Sequence, residues 1–200
     1  MTAGRPDPHA LLDFWFEEAG PKRWYATDPA FDAKIRRLYG PLAHRLDAEP
    51  LDPNDAWLDT PETGLALAIA LDQFPRNIWR GSGKAFALDE KARAASRQLI
   101  DKGFDLAIDP SRRDFLYMPF MHSEALDDQQ LCIALVEERI GADSGTARHA
   151  RLHRDVIATF GRFPYRNDAL GRETTPDEAA YLERGGYAPG AKRPAKSSKP

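Results

Sequence analysis

The sequence predicts an all-α fold, and three observations carry this prediction. Asp or Thr directly precedes proline five times, in Asp7-Pro8, Asp28-Pro29, Thr60-Pro61, Asp109-Pro110 and Thr175-Pro176. Each Asp or Thr oxygen can cap a helix, and proline suits the first helical position because its missing N–H would have no intrahelical partner there. Apolar residues recur three and four positions apart, as on one face of a helix. Alternating strand patterns and Asn-Gly hairpins are absent from the sequence.

The helix that begins at Asp28-Pro29 carries the clearest apolar face. That face consists of Phe31, Ile35, Leu38, Leu42 and Leu46. Pro41 lies inside the pattern and lacks the N–H that an interior helical position needs. We therefore expect a kink or break near Gly40.

Start and end signals predict the remaining helices in order. After a first helix at Pro8, they cover residues 61–73, 84–102, 110–118, 125–140, 146–160 and 176–184. Gly103 is placed to end the 84–102 helix. Thr175 and Glu178 have the spacing of a capping box at the last helix.

A weak internal repeat organises the middle of the chain. Phe74-Pro75-Arg76-Asn77 is echoed by Phe163-Pro164-Tyr165-Arg166-Asn167, and Met118-Pro119-Phe120 lies between them. The three prolines are 44 and 45 residues apart, the size of one unit in a helical solenoid, although chance spacing is the alternative. We expect each proline to end its helix, and the three loops to lie on one edge.

Composition and charge limit the function classes. The last ten residues hold four of the 28 basic residues and no acid, so 24 basic residues face 31 acidic ones in the rest, a net charge of −7. An acidic body argues against nucleic-acid binding. The pattern at the start of the sequence does not predict a secretory signal, no apolar run predicts a membrane span, and Cys132 is the one cysteine. We expect a cytoplasmic protein with one helical domain over residues 1–187 and a disordered basic tail over 188–200.

The loops around the three prolines are rich in residues that can bind a ligand. If they meet, several arginines converge, and guanidinium groups match carboxylate and phosphate. This predicts a cleft for a small anionic molecule or an acidic peptide end; the alternative is that the same residues only tie down loops. The candidate ligand-binding residues are Arg76, Asn77, Arg80, Tyr117, His122, Ser123, Glu124, Arg162, Arg166, Asn167 and Arg172.

The same loops hold candidates for acid–base chemistry. His122 titrates near neutral pH and could work with Glu124 or Asp72 in a hydrolase, or it could simply pack in the structure. Ser123 is an alternative helix cap. His149 and His153 share a helix face, but no third ligand accompanies them, so no metal is expected. No glycine-rich phosphate loop or dinucleotide motif indicates a cofactor.

Taken together, the motifs resemble the bacterial family of domain of unknown function 924 over roughly residues 10–185. That resemblance implies a tetratricopeptide-like right-handed superhelix of about eight helices and no particular activity. A protein-interaction scaffold, by analogy with such folds, is therefore a third hypothesis beside ligand binding and hydrolysis. The motifs that carry the resemblance include Phe14-Trp15-Phe16, Trp24-Tyr25, Leu71-Asp72-Gln73-Phe74-Pro75-Arg76-Asn77, Leu116-Tyr117-Met118-Pro119-Phe120, His122-Ser123-Glu124, His153-Arg154-Asp155 and Leu170-Gly171-Arg172.

One position departs from the family pattern. Tyr165 stands where the family usually has histidine, whereas His122 and His153 match and His149 does not. If the family histidine carried out acid–base chemistry, this chain would lack it. The alternative is that the position needs an aromatic ring with a polar tip, which tyrosine also supplies.

Overall fold

α-Helices dominate a computed structural model that describes residues 5–188, and these residues contain no β-strand. The described chain has twelve α-helical segments rather than the expected eight or so, because short 3-10 and π-helical turns divide several predicted helices. Of the predicted tail, all but Ala188 lies outside the described residues. The helices are α1 (Pro8–Asp13), α2 (Pro21–Trp24), α3 (Pro29–Ala48), α4 (Pro61–Ile78), α5 (Asp89–Asp101), α6 (Phe104–Ala107), α7 (Pro110–Arg113), α8 (Met118–Met121), α9 (Leu126–Val136), α10 (Gly145–Phe160), α11 (Asn167–Leu170) and α12 (Pro176–Glu183).

All five predicted caps start helices. The Asp28 carboxylate accepts hydrogen bonds from the amides of Ala30 and Phe31, at 3.0 and 3.2 Å. At α12, Thr175 and Glu178 form the full capping box. The side chains of Asp7, Thr60 and Asp109 cap α1, α4 and α7 in the same way. These starts were predictable because the capping interaction is local.

Two interior prolines do not end their helices, contrary to the sequence-based expectation. α3 continues through Pro41, and α4 continues through Pro75 to Ile78. Each proline costs its helix one hydrogen bond, about 3 kcal/mol. Helical continuation buries Leu42, Ala43 and Leu46 in α3, and that burial offsets the cost. Pro119 and Pro164, by contrast, lie at the starts of helical turns.

The core surrounds α4, whose residues from Gly64 to Pro75 are all buried. α4 packs against α1, α3 and α5, and α9 packs against α10. A smaller apolar cluster forms around Val156, Ile157 and Phe163 near the end of the described chain. Within residues 5–188, no helix is both long and apolar enough to cross a bilayer.

Hydrogen bonds recur across the chain at the spacing of the three prolines. The Asn77 amide donates to Asp32, 45 residues earlier, at 2.8 Å. The Gln73 amide contacts the Met118 sulfur, 45 residues later, at 3.6 Å. The Arg166 guanidinium donates to the His122 carbonyl, 44 residues earlier, at 2.9 Å. The tertiary packing of the helices also brings Asp72 and His122, 50 residues apart in the chain, into contact.

Candidate functional site

Asp72 and His122 form a hydrogen-bonded pair in the interior. Asp72 lies near the C-terminal end of the buried helix α4, and His122 directly follows α8. The His122 Nδ1 atom lies 2.8 and 3.0 Å from the two carboxylate oxygens of Asp72. The Asp72 side chain is 1% exposed and the His122 side chain 15%. The His122 Nε2 atom has no hydrogen-bond partner within the described residues and is accessible to solvent.

The surroundings of the pair determine its protonation. Burial alone would raise the pKa of Asp72, but the positive charge of Arg76 and the contact with His122 lower it, so the carboxylate is ionised. Burial lowers the pKa of His122, although the charge of Asp72 opposes this shift. A neutral imidazole beside a carboxylate donates its Nδ1 hydrogen to that carboxylate. Nε2 then carries a lone pair and can accept a proton.

Two arginines and a second aspartate complete the polar network. Arg76 lies 3.0 Å from Asp72 and, through its other terminal nitrogen, 3.0 Å from Asp89. Arg166 is 4% exposed and lies 3.4 Å from the opposite oxygen of Asp89. Asp89 thus bridges the two guanidinium groups. The sequence did not indicate Asp89 as a site residue. A carboxylate in the first turn of a helix is common because it interacts favourably with the helix dipole.

Three of the predicted ligand-binding residues lie elsewhere in the fold. Asn77 and Arg80 both bind Asp32 on α3, with Arg80 Nε 2.6 Å from the carboxylate. Tyr117 is fully buried and donates to Asp105 at 2.5 Å. For Asn77 the reason is helical geometry, because the residue after Arg76 turns to another face of α4, whereas Arg80 lies beyond the end of α4.

The third predicted loop divides into separate ion pairs. Arg172 binds Glu124 at 2.8 Å, and Glu124 also accepts the Phe163 amide at 2.9 Å. Glu124 is therefore not the partner of His122. Ser123 donates to Asp128 at 2.7 Å and accepts the Ala125 amide at 3.1 Å, but the N-cap position of α9 is Ala125.

Arg162 and Asn167 both contact Glu178, the capping-box residue of α12. Arg162 Nε lies 2.6 Å from Glu178, and the Asn167 amide lies 3.2 Å from the same carboxylate. Arg162 lines a separate groove with Thr159 and Arg184. Arg76, Arg80, Arg162, Arg166 and Arg172 each contact a carboxylate.

Aromatic rings surround His122 on the side of α10. The ring centroids of His122 and His153 lie 6.2 Å apart, and the Tyr187 ring lies 4.2 Å from His153. Tyr165, at the family histidine position, packs 5.6 Å from Tyr187 and accepts a hydrogen bond from Arg166 at 3.1 Å. Its hydroxyl therefore holds a guanidinium group in place.

His153 is a buried neutral acceptor within these rings. Its Nδ1 atom lies 2.7 Å from the His149 carbonyl and donates to it, which leaves Nε2 with a lone pair. This Nε2 atom is buried and has no partner. Burial and, to a smaller extent, the nearby His122 lower the pKa of His153 to about 3. Across residues 5–188, no three His, Cys, Asp or Glu side chains are grouped to hold a metal ion.

Asp114 and Tyr25 are two further residues that the sequence did not single out. Asp114 begins a 3-10 turn after α7; one of its oxygens is buried without a partner, and the other accepts from Thr146 at 3.3 Å. Burial raises the pKa of this carboxyl to about 6, against the smaller effect of Thr146. Tyr25 belongs to the Trp24-Tyr25 motif, the one signal that could have pointed to it. Asp114 has no such signal.

Comparison with known proteins identifies the family. A family model described as bacterial protein of unknown function (DUF924) matches residues 11–186, so the chain belongs to this family. A search of curated proteins finds no match. The chain is similar to a solved protein of unknown function from Agrobacterium tumefaciens, with 38% sequence identity and a TM-score of 0.79. The match covers 89% of this chain and 97% of that one.

Proposed function

We propose that this protein is a hydrolase in which His122, oriented by Asp72, activates a water molecule that attacks an acyl ester. The observation that carries the proposal is the buried Asp72–His122 pair with an accessible Nε2 atom. A neutral imidazole held by a carboxylate is a general base with the correct tautomer, and such a base contributes about 10²–10⁴ to a rate.

The reaction follows from these positions. A water proton moves to His122 Nε2 while the water oxygen bonds to the acyl carbon. The tetrahedral intermediate then expels the alcohol oxygen, which takes the proton back from Nε2. Asp72 stays ionised throughout and stabilises the imidazolium.

Direct kinetics test this proposal. Hydrolysis of p-nitrophenyl acetate is measured for the wild-type chain and for His122→Asn, Asp72→Asn and His149→Asn. We expect the first two variants to lose about 100-fold in rate. His149→Asn is the matched control, because His149 is exposed and lies outside the pair. Equal rates for His122→Asn and His149→Asn contradict the proposal.

A second measurement does not depend on the choice of ester. Nitrogen-15 NMR distinguishes the two imidazole tautomers, and we expect the hydrogen of His122 on Nδ1 at pH 7.5. A hydrogen on Nε2 would remove the lone pair that the mechanism requires, and the proposal would fail.

The other two hypotheses have weaker support. An anionic ligand or acidic peptide end was predicted from the arginines, but the carboxylate partners of Arg76 and Arg166 already neutralise their charge. A cytoplasmic protein-interaction scaffold, built on a tetratricopeptide-like right-handed superhelix, stays a prediction. It is supported by the family resemblance and by the 44- and 45-residue spacing of contacts.

A further inference from the structure

The Asp72–His122 pair belongs to a closed network of polar contacts. Asp72 lies 2.8 Å from the His122 imidazole and 3.0 Å from Arg76. Arg76 lies 3.0 Å from Asp89, and Asp89 lies 3.4 Å from Arg166. The network closes because the other terminal nitrogen of Arg166 donates to the His122 carbonyl at 2.9 Å. The same network therefore holds both the side chain and the backbone of His122.

The members of the closed network come from separate parts of the fold. Asp72 and Arg76 lie on α4, Asp89 is the first residue of α5, His122 follows α8, and Arg166 ends the 3-10 turn before α11. Asp89 supplies the contact from α5 and joins the two arginines. A displacement of Asp89 would therefore reach His122 by two routes, through its carboxylate partner and through its carbonyl.

Aromatic contacts fix the Arg166 arm of the network. The guanidinium carbon of Arg166 lies 4.4 Å from the ring centroid of Phe86 and 4.6 Å from that of Phe163. The Tyr165 hydroxyl accepts a hydrogen bond from Arg166 Nε at 3.1 Å. Arg166 is thus held on both faces of its guanidinium plane and at its edge. Through Asp89, this fixed group restrains Arg76 as well.

Asp89 also balances the charge of the closed network. Two carboxylates, Asp72 and Asp89, face two guanidinium groups, Arg76 and Arg166, so the charges cancel while the imidazole is neutral. Asp89 is 8% exposed, so little solvent screens these charges. Without the Asp89 charge, the two guanidinium groups would repel one another across the vacated position, and Arg76 would shift relative to Asp72.

We propose that Asp89 is a positioning residue, which holds Arg76 and Arg166 in place and thereby keeps the His122 imidazole aligned on Asp72. This role rests on the proposed function, because it concerns the general base of the same site. Asp89 acts through the two arginines rather than on the substrate. Its negative charge also raises the pKa of His122, as the charge of Asp72 does, whereas burial and the charge of Arg76 lower it.

The groups outside the network that face this region leave the effect of Asp89 distinct. Asp128 on α9 is paired with arginines of α5. His153 on α10 has a pKa of about 3 and is neutral near pH 7. Burial raises the pKa of Tyr187, which therefore keeps its proton. Removal of the Asp89 charge leaves the network positive, and an excess positive charge disfavours the imidazolium form of His122.

The Asp89→Asn variant of the full chain tests this role by two measurements. NMR titration should give a lower pKa for His122 than in the wild type. The acid limb of kcat/KM for p-nitrophenyl acetate should move to lower pH in parallel, because the neutral imidazole is the base. We also expect kcat to fall about tenfold through misalignment and KM to stay unchanged, since Asp89 does not contact the substrate.

Asp32→Asn is the matched control. Asp32 also lies in the first turn of a helix, is 6% exposed and pairs with an arginine, with Arg80 Nε at 2.6 Å. Its ion pair lies outside the closed network. We expect Asp32→Asn to lower the free energy of unfolding in urea, as Asp89→Asn does, but to leave kcat and the pKa of His122 unchanged. This comparison separates positioning from the loss of a buried ion pair.

Two further variants complete the test. Asp89→Ser admits water beside the guanidinium groups and replaces Asp89→Asn if that variant does not fold; the same results are expected. Asp89→Glu keeps the charge. The Arg76–Asp89 contact is an ion pair whose atoms are not aligned as a hydrogen bond, so the charge matters more than the exact position of the carboxylate. Asp89→Glu should therefore restore the pKa of His122 and most of kcat.

Two results would overturn the inference: equal kcat and equal His122 pKa in the Asp89→Asn and Asp32→Asn variants, or equal losses in the Asp89→Asn and Asp89→Glu variants. The two proposals fail separately. If His122→Asn keeps the wild-type rate, the hydrolase is refuted, and a lower His122 pKa in Asp89→Asn still supports the positioning role. If His122→Asn loses its rate and Asp89→Asn keeps both rate and pKa, only the positioning role is refuted.

Discussion

Replacing Asp114 with Asn should make the protein more stable at neutral pH. Among residues 5–188, no cation pairs with the Asp114 carboxyl, and one of its oxygens is buried without a hydrogen-bond partner. Asn has nearly the same shape and keeps the same unsatisfied position, so the packing is preserved. The substitution removes only the cost of holding a negative charge in a poorly solvated place.

The raised pKa of Asp114 gives the size of the expected gain in stability and the pH range in which it appears. The carboxyl titrates near 6 in the folded protein and near 3.8 when solvated. A shift of this size corresponds to at most about 3 kcal/mol. Because the folded-state pKa is the higher one, the native state holds the proton more tightly. The carboxyl therefore lowers the free energy of unfolding little below pH 4, and by the full amount above pH 6.

Urea unfolding of the wild-type and Asp114→Asn proteins at pH 4 and pH 7.5 measures this effect. We expect no difference in the free energy of unfolding at pH 4, and a gain of about 1–3 kcal/mol for the variant at pH 7.5. Asp143→Asn, at an exposed position, is the control and should be neutral at both pH values. The reasoning is refuted if the variant is less stable than the wild type at pH 7.5, or if the free energy of unfolding differs from the wild type by the same amount at both pH values.

Four more outcomes can be measured. Asp72→Asn should lower the pKa of His122 in NMR titrations, because the Asp72 charge is what raises it; an unchanged pKa contradicts the pairing. The pKa of His153 is lowered to about 3 in the folded protein. As the pH falls below 6.5, the unfolded chain therefore binds a proton at this residue before the folded protein does, and up to about 5 kcal/mol of stability should be lost between pH 6.5 and 3. Replacing His153 with Phe should flatten this dependence. Thr175→Ala should cost about 1 kcal/mol in urea unfolding, and an unaltered transition would mean that the cap is not used. Phosphate should raise the melting temperature no more than chloride at matched ionic strength, because Arg166 is paired; a larger rise that Arg166→Ala removes would restore the anion hypothesis.

Helix starts were predictable from the sequence, and helix ends were not. A cap such as Asp28 acts on amides two and three residues away, so its signal is complete within the local sequence. Whether a helix continues through a proline depends on burial against distant segments. At Pro75 the surrounding residues of α4 are buried by α1, α3 and α5, which no local pattern reveals.

The candidate site was predictable only where residue type alone indicates chemistry. His122 and Asp72 stood out as a titratable ring and a carboxylate in loops with unusual polar density, and the structure joins them. Asp89 and Tyr187 carry no distinctive motif. Only the tertiary fold places Asp89 beside Arg76 and Arg166, and Tyr187 against His153.

The charge of a site depends on the partners of its residues, and this changes which ligand the present site fits. Counting arginines in the sequence indicated a positive cleft. In the structure Asp89 is placed between Arg76 and Arg166, and neither guanidinium group is free. Among the described residues, the buried atoms without a hydrogen-bond partner include the acceptors Asp114 Oδ1 and His153 Nε2 and the donor Arg76 Nη2. An anion that binds to Arg76 or Arg166 would therefore have to displace a carboxylate from an existing ion pair.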